Sequence, residues 1–275
     1  MVSEISEKLA AAKAYFKAFA GQKVIVAFSG GVDSLLVLAL LKEVSEDLRQ
    51  IFPVCVTAQW MSHSAIKDAE EAANKLGFTL HRIQLDRVDE VGIERNPIDR
   101  CYLCKKHLFN KLLEFAHSID CHAIMEGTQL DDLIHFRPGQ KAIAESGAIS
   151  PLKELGLHKI EVRQLLSELG ISAANKPSGS CLATRFPYGT ILTQEKFNAV
   201  EKAEDSLKNL GFYNLRVRSD ETTARIEVDP QYFPIVVTHA QEIVNELKRL
   251  GWQYVCLDLQ GFRSGSMDEI KPQIR

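Results

Sequence analysis

Ser29-Gly30-Gly31-Val32-Asp33-Ser34 is the segment whose residue types most clearly serve chemistry. Successive glycines let the backbone curl until its N–H groups share one concavity. The helix formers that follow, Leu35 to Leu41, put that concavity at a helix N-terminus, where the dipole favours an anion. Phosphate binding follows. A Walker A loop would carry G-x-x-x-x-G-K-[ST], and no lysine stands here, so backbone amides, hydroxyls and Mg²⁺ must offset the charge. The plain alternative is a Gly-rich strand-to-helix turn without a ligand.

Cysteines form the second group. Cys101 and Cys104 stand one helical turn apart, a spacing that lets both thiols reach one metal. His107 lies three residues on, so a zinc site of the Cys₃His type is one reading and a pair of partly buried thiols is another. Cys181 sits in a turn-rich stretch close to Arg185, a cation that would favour thiolate there. An incidental loop cysteine is its alternative. Cys55, Cys121 and Cys256 lie in or beside apolar strand-like runs and read as core filler. Three thiolates beside a phosphate loop would suit a 4Fe-4S cluster with one iron left open to an exogenous sulfide.

The elements that must position these residues follow from periodicity. Helix 3–19 leads. It is followed by strand 24–28, the helix around 35–41, strand 51–57, helix 63–76, strand 79–85, helix 102–118, strand 121–126 and helix 161–169. Strands alternating with helices predict an α/β fold, a doubly wound parallel sheet with helices on both faces. Glu126-Gly127-Thr128-Gln129-Leu130-Asp131-Asp132 then leaves the carboxyl edge of that sheet, where such folds bind ligands. Thr128 and the aspartates also suit a helix cap. Arg137 adds a cation close by.

The periodic pattern stops around Asn175 to Ser180, and the reading divides the chain into domains 1–185 and 186–275. The smaller C-terminal domain is α+β: helix 194–210, strands 213–218 and 223–228, helix 238–250 and strand 253–259. A hairpin of the two central strands, read with residue 216 facing 225 and 214 facing 227, puts Arg216, Arg218, Arg225 and Glu227 on one face. Three arginines there can grip phosphate or carboxylate bidentately, with Arg263 also available; a solvated polar face is the alternative.

Composition excludes other classes. With 275 residues, 45% apolar and 25% charged, the chain is an ordinary globular sequence, neither disordered nor collagenous. The run Leu35 to Leu41 is too short for a membrane span. Six cysteines are too sparse for a disulfide scaffold, and the N-terminus reads unlike a secretory signal, so a reducing, cytoplasmic setting is expected. A net charge of -3 gives no electrostatic reason to expect nucleic-acid binding.

The run Ser29 to Ser34 resembles the pyrophosphate-loop motif of the ATP pyrophosphatases, whose fold is adenine nucleotide alpha hydrolase-like. That resemblance implies ATP as cosubstrate with Mg²⁺, the loop gripping the β- and γ-phosphates through Ser29, Gly30, Gly31, Asp33 and Ser34. It also places Thr128 near phosphate and Asp131 or Asp132 near the metal. The arrangement from Pro177 to Arg185, with Arg100 to Lys105, Arg216 to Arg218, Ala224 to Glu227 and Gly261 to Ser266, is similar to the LarE family. Its members are ATP-dependent sulfur transferases of nickel-pincer cofactor biosynthesis. The resemblance implies adenylation and thiolation of the carboxylates of pyridinium-3,5-biscarboxylic acid mononucleotide, with substrate ligands in the second domain. In the single-cysteine form, the residue at the position of Cys181 gives up its own sulfur. Cys101 and Cys104 depart from that form and imply the cluster-dependent one, with Cys181 as third ligand and catalytic group beside Asp33. Sulfide or a sulfur-donor protein and a second copy of the chain are the further partners expected. A cluster-dependent tRNA thiolase and a non-catalytic ATP- and metal-binding sensor are the rival readings.

Overall fold

The alternation of β-branched and helical runs is realised as a four-stranded parallel sheet in the computed structural model, which describes residues 2–85, 87–133, 138–172, 179–263 and 265–268. The chain divides into two compact units: Met1–Arg87 with Asp99–Gly179, and Val88–Ile98 with Ser180–Arg275.

In chain order the elements are α1 (Val2–Lys17), β1 (Val24–Ala27), α2 (Val32–Val44), β2 (Ile51–Thr57), α3 (His63–Lys75) and β3 (His81–Gln84). The short α4 (Val88–Val91) belongs to the second unit. The first resumes with α5 (Arg100–Ser118), β4 (Ala123–Met125), α6 (Gly139–Ser146), α7 (Pro151–Glu154) and α8 (Lys159–Glu168). Its sheet runs β3-β2-β1-β4, with Val24 opposite both Ile51 and Ala123. The helix α2 is apolar almost all round because it is buried almost all round: Leu35 to Leu41 are all in the core, packed with Phe16, Val162 and Leu166. Each such leucine contributes about 1.5–3 kcal/mol. Strand order reverses beside β1, with β2 and β3 on one side and β4 on the other. The loops leaving β1 and β4 therefore flank a topological switch point.

The second unit holds α9 (Gln194–Lys208), β5 (Leu215–Asp220), β6 (Thr223–Val228), α10 (Phe233–Thr238), α11 (Ala240–Arg249) and β7 (Tyr254–Leu257). The helix read over 238–250 is α11, and a separate helix, α10, ends just before it at Thr238; α10 went unread because Phe-Pro-Ile-Val-Val-Thr has a strand-like composition. Its sheet is mixed: β5 pairs antiparallel to β6, and β7 parallel to β6. The expected hairpin register needs correction. Arg216 faces Glu227 and Arg218 faces Arg225, because Ser219 and Asp220 continue the strand and the turn shrinks to Glu221-Thr222. The slip is two residues, so the predicted shared face survives: a slip of one would have reversed it. Cys256 also departs from its reading, standing exposed on β7, while Cys55 and Cys121 are buried as expected. Burial pushes the Cys55 thiol up to about 11. Among the described residues no helix is long and apolar enough to cross a membrane.

Asn96 fastens the Val88–Ile98 segment within the second unit. It is 0% exposed, takes a left-handed φ of 44° that Asn tolerates, and donates through Nδ2 to the carbonyls of Phe186 and Pro187, both at 2.9 Å. Its own carbonyl accepts from the Gly189 amide. Replacing Asn96 with Ala would strand those buried carbonyls and should cost about 2–3 kcal/mol. A urea midpoint equal to that of the wild type would show that the clamp contributes nothing.

Candidate functional site

The loop between β1 and α2 is built around glycine because two backbones crowd it. Gly30 has φ of 69°, and a Cβ there would stand 2.6 Å from the Ala69 Cα of α3. From the other side, a Cβ on Gly127 would meet the Ser34 amide nitrogen at 2.7 Å. The loop after β4 thus lies against the first turn of α2. No side chain caps that turn. Its leading amides have no intrahelical partners, so a 13-residue helix presents its positive end to the crevice. Ser29 Oγ accepts from the Gly31 amide at 3.3 Å, and Ser34 Oγ donates to the Gly31 carbonyl at 3.1 Å, which holds the curl.

Asp33, in the first turn of α2, pairs through Oδ2 with Lys159 Nζ at 2.5 Å, while its Oδ1 is buried without a hydrogen-bond partner. Burial raises its carboxyl above the ordinary range, Lys159 pulls it back, and the charge of nearby Asp132 raises it further. A buried carboxylate oxygen with no donor, within reach of a second carboxylate's charge and beside a phosphate cradle, has the donor chemistry of a Mg²⁺ site. The residues fit that ion.

The two aspartates after β4 have separate partners. Asp131 spends both oxygens: Oδ1 on His158 Nδ1 at 2.7 Å and Oδ2 on the Lys159 amide at 2.8 Å, capping α8. The His158 hydrogen bond, then that amide, hold its carboxyl below the usual range. Asp132 accepts from the Gln129 amide through Oδ2 at 3.3 Å. Thr128 donates through Oγ1 to Glu126 at 2.7 Å and accepts from Gln140 at 3.3 Å, so the buried Glu126 shapes this loop. Arg137 lies outside the described residues, as do Pro177, Ser178 and Ser264 of the sequence motifs.

Cys101 and Cys104 occupy the first two turns of α5, half-buried, with α6 packed so closely that a Cβ on Gly139 would stand 3.4 Å from the Cys101 carbonyl. Among the described residues no three His, Cys, Asp or Glu side chains gather as a metal site, so His107 completes no zinc centre there. In the second unit, Cys181 is half-buried and precedes the turn Leu182–Arg185. The reading of Arg185 as a cation for this thiol is corrected. Its guanidinium, 3% exposed, forks onto Glu204 at 2.8 and 2.9 Å and ties down the carbonyls of Ser180 and Cys181 at 3.1 Å. Arg185 shapes the backbone that carries Cys181. Burial would raise Glu204, but the charge and hydrogen bonds of Arg185 outweigh it and hold Glu204 low.

The arginine face of β5 and β6 exists but is partly occupied. Arg218 bonds the fully buried Glu227 at 2.9 Å, Ser266 at 2.9 Å and the Thr184 carbonyl at 2.8 Å. Arg225 pairs with Asp258 at 2.6 Å, and Arg263 lies 3.8 Å from that carboxylate. Arg216 stacks over the Phe262 ring at 5.3 Å. Burial, together with the positive charges of Arg185 and Arg218, brings its guanidinium down to about 10.

Comparison with known proteins decides the family. A protein of Synechocystis is 36% identical over 90% of this chain and 92% of its own length. The pyridinium-3,5-bisthiocarboxylic acid mononucleotide synthase of Lactiplantibacillus plantarum is 36% identical over 90% of both chains. The chain belongs to the LarE family. An NAD synthase family model matches residues 4–101, the part that carries the phosphate loop. A tRNA-specific 2-thiouridylase of Thermoanaerobacter is 28% identical, over 66% of this chain and 61% of its own length.

For this LarE-family chain, Lys159 is the site residue that sequence reasoning missed. It lies 126 positions from Asp33, and only the fold brings it to the loop. Local signals marked the start of α8, with Glu161 accepting from the His158 amide at 2.7 Å, but nothing in them pointed to phosphate. An Asp33→Asn variant should keep or raise the thermal midpoint at pH 7. A raised carboxyl means that the folded state loses stability as the group ionises with rising pH. Mg²⁺-dependent ATP consumption should fall by about 100-fold or more. A midpoint several degrees lower would make Asp33 a structural residue instead.

Proposed function

We propose that this LarE-family chain is an ATP-dependent sulfur transferase acting on the carboxylates of pyridinium-3,5-biscarboxylic acid mononucleotide. The observation that supports this most is coverage: the chain spans nine-tenths of the L. plantarum synthase, and its phosphate loop has the geometry described above. In the proposed reaction a substrate carboxylate oxygen attacks the α-phosphorus of ATP and pyrophosphate leaves. A sulfide nucleophile then forms the C–S bond, and AMP departs with the electron pair of the C–O bond. Ser29, Gly30, Gly31 and Ser34 hold the departing pyrophosphate, with Thr128 and Arg137 beside it. Asp33 and Asp132 would hold the Mg²⁺ that neutralises its charge. Arg216, Arg218, Arg225 and Arg263 bind the anionic groups of the nucleotide, with Glu227 setting their orientation.

Cys101, Cys104 and Cys181 are proposed as ligands of a 4Fe-4S cluster. Two of the thiols share one helix face, and the third sits in a turn fixed by Arg185. Such a cluster, when bound, supplies an open iron on which exogenous sulfide is carried. Within the second unit, Asn96 ties the residues that lead into Cys101 to those that follow Cys181. Sulfide itself or a sulfur-donor protein would replenish the site, and a homo-oligomer in the cytoplasm is the proposed setting. The net charge of -3 weighs against tRNA as the substrate.

Anaerobically purified protein should carry iron and acid-labile sulfide, with broad visible absorption that Cys104→Ala abolishes. Cys181 should remain intact by mass spectrometry after turnover. Dehydroalanine at 181, or a colourless and fully active zinc form, would remove the cluster from the proposal. Pyrophosphate release that never depends on a carboxylate substrate would remove the transferase.

A further inference from the structure

The loop lacks the lysine that a Walker A motif would give it, yet an ammonium stands in it. Lys159 Nζ lies 2.5 Å from Asp33 Oδ2, on the first turn of the helix whose amides face the anion. Its backbone is fixed independently of that pair: the Lys159 amide donates to Asp131 Oδ2 at 2.8 Å, and Asp131 is held by His158. The side chain keeps 30% of its surface exposed, so it has room to turn. The other Asp33 oxygen is buried and unpartnered, and the Asp132 charge bears on it. A monovalent cation therefore half-fills a carboxylate whose surroundings suit a divalent one.

We propose that Lys159 is an exchangeable counter-ion: it holds Asp33 while the site lacks Mg²⁺, and it passes to the triphosphate when metal-bound ATP enters. This deepens the ATP-site reading above and rests on it. The physical reason is charge balance. A divalent ion brought to Asp33 repels an ammonium already on that carboxylate, and partial burial of the pair leaves that repulsion less screened than it would be in water. The displaced ammonium then lies beside a polyanion for which the loop itself offers no cationic side chain. Lys159 would thus do in space what a loop lysine does in sequence, while competing with metal as long as nucleotide is absent.

The competition gives a signature that a structural lysine would not. In the full chain, Lys159→Met and Lys159→Gln should bind Mn²⁺ alone about three- to tenfold more tightly than wild type, measured by the paramagnetic resonance of free Mn²⁺, because Asp33 has lost its competing ammonium. The same variants should bind ATP in EDTA about tenfold more weakly by calorimetry, and Lys159→Arg should restore most of that affinity. Circular dichroism confirms that each variant is folded. Mn²⁺ affinity that is unchanged or weaker in the neutral variants, or ATP affinity that does not fall, would overturn the assignment. Neither measurement needs a sulfur acceptor. A wild-type chain that thiolates no pyridinium carboxylate yet shows this pattern would defeat the transferase reading and leave the Lys159 assignment standing.

Discussion

Everything in the ATP-binding unit depends on how closely two backbones approach at the end of β1. Gly30 lies against Ala69 and Gly127 against the first turn of α2, each at distances that a single Cβ would break. The consequence is electrostatic. Where side chains are absent, amides carry the surface, and no side chain caps the positive end of α2. Parallel pairing makes this geometry available, because β1 has neighbours on both sides and the chain order reverses at its flank. The apolar girth of α2 then makes it rigid, since a helix buried from Val32 to Leu41 cannot tilt without opening the core.

An amide cradle at a helix end attracts anions but leaves a triphosphate's charge largely unbalanced, so the unit needs cations that the loop does not encode. The fold brings the carboxylates of Asp33 and Asp132 within reach of each other's charge, and a lysine from the start of α8 onto the first of them. The cost appears in Asp33, whose burial works against its ionisation and whose second oxygen lacks a partner.

What the sequence disclosed and what it hid divide along one physical line. Local backbone chemistry was legible: Ser29 to Ser34 announced a phosphate loop, and alternating runs announced the parallel sheet. Parity was legible too, which is why the arginine face of β5 and β6 was found despite a register slipped by two residues. Long-range partners were not. The pairing of Lys159 with Asp33, Asn96 with the carbonyls after Cys181, and Arg185 with Glu204 all join positions whose spacing carries no period. Exposure at a sheet edge was equally silent, since Cys256 sits in an apolar run and yet faces solvent on β7.

The second unit shows why counting arginines on a strand overstates the charge available to a ligand. Arg185 is neutralised by Glu204, Arg218 by Glu227 and Arg225 by Asp258. The buried pairs of Arg185 and Arg218, with the part-exposed pair of Arg225, fix the sheet face and the turn carrying Cys181 more than they attract an anion. Arg216 differs. It stacks on Phe262, and its guanidinium is brought down to about 10 by burial and by the like charges of Arg185 and Arg218, which the neighbouring glutamates do not fully offset. An anion bound there would gain from relieving that repulsion as well as from direct contact, whereas one bound at Arg218 would have to displace a carboxylate first.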